Sequence, residues 1–220
     1  MKTLTAFVIL AAIPLYAADL AEVERQSRAN VSASAKVAPD ALRAWAKSLP
    51  RAPVAVPTMT AMIELPLDQA QLGDAYASFF VRLDQLSAFR PGVDPADLLV
   101  DTKEVTYLVN VDHEPKATLT MRQKAEKWRS TSFGAANLAT KIVALTRRIE
   151  APGGQAPDAF LVKIPALNLV FLGHRSQARL MLSAVVSNPS MDVKEGTTYD
   201  ANQLFQSLAE KARRHNGRPS

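Results

Sequence analysis

Three histidines are the only side chains in this chain whose unperturbed pKa lies near neutrality, so they are the first candidates for acid-base or ligand chemistry. His174 stands in Gly173-His174-Arg175-Ser176, just past an apolar run. If that segment is a loop at a strand end, an imidazole, a guanidinium and a hydroxyl meet there. His174 and Arg175 are then the candidate catalytic pair, able to bind an anion or assist a hydrolysis. The competing reading is a hairpin loop in which Gly173 makes the turn and the polar side chains are solvated. His113 lies in Asp112-His113-Glu114-Pro115, where a carboxylate beside an imidazole would raise its pKa. These residue types also make tight turns, in which neighbouring side chains point apart. His215 belongs to a basic tail and is expected to be solvated.

Residue type narrows the other chemistries. With no cysteine, the chain has no disulfide, no thiolate nucleophile and no Cys-based metal site. It contains no Gly-x-Ser-x-Gly elbow and no His-Glu-x-x-His pair, and Gly153-Gly154 lacks the Lys and Ser or Thr that complete a phosphate loop. Neither a cofactor nor a metal is expected. Tyr76, Phe79, Phe80, Phe89, Tyr107, Trp128, Phe133 and Phe205 line either a ligand cavity between sheet and helix or an ordinary core.

The elements that must hold these residues follow from periodicity. Leu42, Trp45 and Leu49 share a helical face between Pro39 and Pro50. From Asp68, Leu72, Tyr76, Phe79, Phe80, Leu83 and Leu86 form a broad stripe that predicts a long helix ending at Pro91-Gly92. The period then becomes two. Val105 to Val111, Ala117 to Met121 and Trp128 to Phe133 alternate and are separated by polar turns, which predicts an antiparallel meander with Trp128 buried against the long helix. Leu138, Ile142, Leu145 and Ile149 mark a second helix. Ala159 to Ile164, Leu167 to Leu172 and Ala178 to Val186 read as three further strands. A last helix begins near Ala201, with Asp200 and Gln203 placed as a capping box. The expected class is α+β, an antiparallel meander sheet of about six strands covered on one side by helices.

The stretch Tyr107 to Leu145, in which Lys127-Trp128-Arg129-Ser130-Thr131-Ser132-Phe133-Gly134 leads into Asn137-Leu138-Ala139, resembles strand-to-helix segments of uncharacterised exported bacterial proteins. In strand plan it is similar to cystatin-like and NTF2-like domains. The resemblance implies a curved sheet gripping a helix and carries no catalytic residue with it.

Compartment and partners are read from the N-terminus and the charge. Lys2, the uncharged run Leu4 to Leu15 and the small residues Ala17-Ala18 make a signal peptide over residues 1–18, cleaved after Ala17 or Ala18. Asp19 to Lys36 is expected to be a loosely ordered leader. Residues 19–57 form an N-terminal arm ending in the Pro-rich tract Pro50 to Pro57, and residues 58–220 form the main domain. The run is too short for a membrane anchor, so the protein is expected to be periplasmic or secreted, with no transmembrane segment after cleavage. Asp19 to Glu114 carries 9 basic and 14 acidic residues, whereas Pro115 to Ser220 carries 16 basic and 7 acidic. That asymmetry suits an acidic envelope protein or an anionic lipid surface, and export argues against nucleic acid. The expected function is a non-enzymatic periplasmic accessory or binding module. The alternatives are an envelope hydrolase acting through His174 and Arg175, and an envelope protein held on anionic surfaces by its basic half. Lys211, Arg213, Arg214 and Arg218 would form one face there with Arg147, Arg148, Arg175 and Arg179.

Overall fold

A computed structural model describes residues 20–48, 69–149 and 158–214. The signal segment, the Pro-rich tract, Gly153-Gly154, His215 and Arg218 lie outside the described residues. The chain runs α1 (Leu20–Ala35), α2 (Ala38–Ser48), β1 (Gln71–Phe80), α3 (Leu83–Ala88), β2 (Val100–Val111), β3 (Glu114–Lys124), β4 (Lys127–Gly134), α4 (Ala136–Ile149), β5 (Phe160–Ile164), β6 (Leu169–Ser176), β7 (Arg179–Ala184), β8 (Thr198–Asp200) and α5 (Ala201–Arg214). The strands form one sheet in the order β4-β3-β2-β1-β5-β6-β7-β8. Every neighbouring pair is antiparallel except β1 and β5, which run parallel at the centre.

This order is a palindrome about the β1–β5 pair. Each half is a central strand, a helical connection, three strands and a helix. A two-fold axis lying in the sheet along the central strands would relate two such halves, and it would require the two closing helices to lie on opposite faces. They do. On one face α5 joins α1, α2 and α3 over a large core containing Phe79, Val105, Leu119, Phe160, Phe171 and Phe205. On the other, α4 covers a smaller core of Tyr76, Leu108, Leu161, Leu172 and Val185 with Ala139, Ile142 and Leu145.

The mixed α+β class is as expected; the particulars differ. Eight strands replace six, helices cover both faces, and one strand pair is parallel. The long helix expected from Asp68 is instead β1 followed by the six-residue α3. β1 is central and faces a core on each side, so Tyr76, Ala77, Ser78 and Phe79 are all buried and the alternation that marks a strand is missing. The leader is helix α1, packed on the sheet through Leu20 and Val23. Its polar stripe is bonded as well. Asn30 Nδ2 donates to Asp101 (3.0 and 2.9 Å), and the Ser34 and Tyr107 hydroxyls lie 2.7 Å apart. Trp128 is on β4, the sheet edge, and is only half-buried. The hairpins Asp112-His113 and Ala125-Glu126 each place two residues at positive φ, the geometry of type I′ turns. Asp200 caps α5 as expected, its Oδ1 accepting from the Asn202 and Gln203 backbone N–H groups at 3.0 and 3.4 Å.

Candidate functional site

The palindrome produces a topological switch point. From β1 the chain turns toward β2 on one side, and from β5 it turns toward β6 on the other. A crevice is therefore left outside the carboxyl ends of these two parallel strands, the place where open α/β sheets bind ligands. A groove of about 780 Å³ lies there, lined by Phe80, Val81, Arg82, Leu83, Asp84 and Ser87 from the β1 side, Pro165 and Ala166 from the β5 side, and Ala212 and Arg213 from α5.

Local chemistry holds each wall. The Val81 N–H donates to the Lys163 carbonyl (2.9 Å), carrying the central pairing to the groove floor. Arg82, in extended backbone, precedes α3, and its carbonyl accepts from the Leu86 N–H at 2.9 Å. Pro165 opens a 3-10 turn that ends at Asn168 in the left-handed region (φ 50°). On α5, the Arg213 Nε donates to the Ser87 carbonyl (2.9 Å) and ties the helix end to α3, while Phe89 and Phe205 meet edge to face at 5.8 Å.

The electrostatics of the rim are unequal. Arg82 grips Asp84 with two donors, Nε to Oδ1 at 3.0 Å and Nη2 to Oδ2 at 2.7 Å, and this lowers the Asp84 carboxyl pKa. Exposed Arg213 has no carboxylate partner among the described residues. The groove is thus apolar over most of its wall and, among the described residues, carries one uncompensated positive charge.

Beside it, on the α4 face, lies a polar row. Arg122, Glu104 and Ser78 face one another across β3, β2 and β1. Lys163 reaches over β1 to Glu104, Nζ to Oε2 at 3.1 Å, and Arg122 donates to Glu104 Oε1 through Nε at 2.8 Å. Burial pushes the Glu104 carboxyl up, but the Lys163 charge and the hydrogen bonds from Arg122 and Lys163 outweigh it, so its pKa is lowered. The Ser78 hydroxyl is buried without a hydrogen-bond partner among the described residues.

The structure places His174 and Arg175 within β6, with the turn moved on to Gln177-Ala178. Successive strand residues point to opposite faces. His174 faces the α4 side, buried, with Nδ1 lacking a hydrogen-bond partner among the described residues and its pKa lowered by burial. Arg175 faces the other side and binds Glu24 of α1 at 2.9 and 3.1 Å. The two do not meet. Gly173 is also not a turn residue: a Cβ there would lie 2.7 Å from the Phe160 ring, so the glycine admits a close core approach. His113 is exposed in its hairpin. The basic residues do not share one face either. Arg147 and Arg148 sit on α4, Lys211, Arg213 and Arg214 on α5 across the sheet, and Arg179 and Lys211 pair with Asp200 and Asp192.

Sequence reading missed the groove because Phe80 to Ser87 fall in the segment read as one long helix, Pro165 and Ala166 between two expected strands, and Ala212 and Arg213 in the basic end of the last helix. The available signal was Pro165 following an apolar strand, together with Arg82-Leu83-Asp84. A second cavity of about 340 Å³ lies between the start of α1 and the β6–β7 hairpin, where Arg179 binds Asp200 at 3.0 Å. No helix among the described residues is long and apolar enough to cross a membrane. No family model, no curated protein and no solved structure matches the chain.

Proposed function

We propose that the protein is an exported, non-enzymatic binding module that holds a small ligand in the groove at the carboxyl ends of β1 and β5. One observation carries the reading: a groove of about 780 Å³ at the switch point of the sheet, within the size range of small-molecule sites and lined mostly by apolar side chains. Export rests on the signal-peptide pattern of residues 1–18. A binding role needs no side chain to change its charge state, and none of the groove residues is a buried titratable group.

The test uses the neutral apolar dye Nile red. Titration into the protein is expected to give a saturable rise in fluorescence with one class of site. Ala166→Trp, which fills the groove from a half-buried position, is expected to abolish it while the folded circular dichroism persists. Unsaturable fluorescence, or saturable binding untouched by Ala166→Trp, overturns the reading.

A further inference from the structure

We infer that the ligand of this groove is an amphiphilic monoanion, an acyl carboxylate whose chain lies along the apolar wall and whose head group is held by Arg213. The inference rests on the binding role proposed above and adds the ligand's chemistry. Three observations carry it.

The first is the lining. Phe80, Val81, Leu83, Pro165, Ala166 and Ala212 offer hydrocarbon, so affinity comes from an apolar body. The second is the charge count at the rim. Asp84 neutralises Arg82 through a two-donor pair, which leaves Arg213 as the one charge of the lining without an opposite partner among the described residues. One guanidinium matches one anionic group, and its planar donors suit a carboxylate. The third is orientation. The Nε bond from Arg213 to the Ser87 carbonyl fixes the guanidinium stem at the groove edge and leaves its Nη donors for the head group. A head group at the edge and a chain along the wall is the arrangement of a single-chain acyl anion.

The experiment displaces Nile red from the full chain with decanoate and with the neutral decyl glucoside, both below their micelle concentrations. Decanoate is expected to bind at least about tenfold more tightly than the glucoside. Arg213→Gln is expected to erase that preference while glucoside binding persists, which also reports that the groove remains intact. Asp84→Asn releases the Arg82 guanidinium and is expected to widen the preference, an effect that a purely structural role for the rim would not produce. Equal binding of the two amphiphiles, or a preference that survives Arg213→Gln, overturns the inference and leaves the binding role standing. Loss of Nile red binding itself would strike the binding role instead. A third arm separates sources. If phosphatidylglycerol vesicles capture the protein in an Arg213-dependent way while decanoate does not bind, the anion read is a membrane lipid and the inference is wrong.

Discussion

Residues 81–99 connect β1 to β2 through α3 and a 3-10 turn, whereas residues 165–168 make the corresponding connection between β5 and β6. The two halves otherwise repeat one plan, strand, connection, three strands and helix, about a parallel central pair. The long connector is secured to α5 by Phe89 against Phe205 and by Arg213 against the Ser87 carbonyl. The short one turns away within a single 3-10 turn at Pro165. What lies between them is the groove. The site thus arises where the halves differ, and the shared parts supply the rigid floor beneath it.

Breaking the shared floor has the largest expected effect. Phe79 of β1 and Phe160 of β5 are fully buried and meet edge to face at 5.3 Å. Phe79→Ala and Phe160→Ala are each expected to cost about 3 to 5 kcal/mol by urea denaturation, and the double variant less than their sum because the rings touch. The transition should remain single in each case. A biphasic transition in Phe160→Ala would show that the halves unfold separately and that the central pair does not unite them.

Next comes the ionic link across the central strands. Glu104 is buried and receives Lys163 from the second half and Arg122 from the first. Glu104→Gln is expected to cost about 1 to 2 kcal/mol, less than a fully buried pair because both cations keep contact with water. Because the Glu104 pKa is lowered on folding, its contribution is present above the usual carboxylate range and fades as pH falls through the folded value. An unchanged urea midpoint in Glu104→Gln at pH 7 would remove the link from the account.

The smallest effect lies in the second half alone, at His174. Burial lowers the pKa of its imidazole, so folding favours the neutral form. Stability is therefore level above a pH of about 6.5 and declines below it, where the unfolded chain binds a proton that the native chain refuses. The slope is at most about 1.4 kcal/mol per pH unit for one group. His174→Leu should flatten stability between pH 6.5 and the onset of carboxylate titration, and a slope unchanged by that substitution contradicts the assignment.

Legibility followed burial geometry. The β2–β3–β4 meander and helices α4 and α5 could be read because their residue types keep alternation or a helical stripe in view. β2 does so although Glu104 to Val109 are all buried, because its α4-side positions include the polar Glu104, Thr106 and Asn110. β1 could not. Both its faces are buried, and Leu72, Tyr76, Phe79 and Phe80 then coincide with a helical stripe. α1 escaped because its inward positions after Leu20 and Val23 are Ser27, Asn30 and Ser34, a helical spacing carried by polar residues. β8, with three residues, is too short to show a period. His174 and Arg175 were noticed for their chemistry, but a strand sends them apart. The groove residues carry no motif, and only the tertiary crossing of two connections brings Arg82, Pro165 and Arg213 to one place.

The most direct measurement of the central claim is an amide-resolved NMR titration of the isotope-labelled protein with decanoate. Saturating shifts are expected for Arg82, Leu83, Asp84, Ser87, Ala166, Ala212 and Arg213, with the β2–β3 hairpin at Asp112-His113 unmoved. Saturating shifts centred elsewhere, at His174 or along the β4 edge, or no saturable shift at all, would contradict the claim that the ligand seats where the two halves diverge.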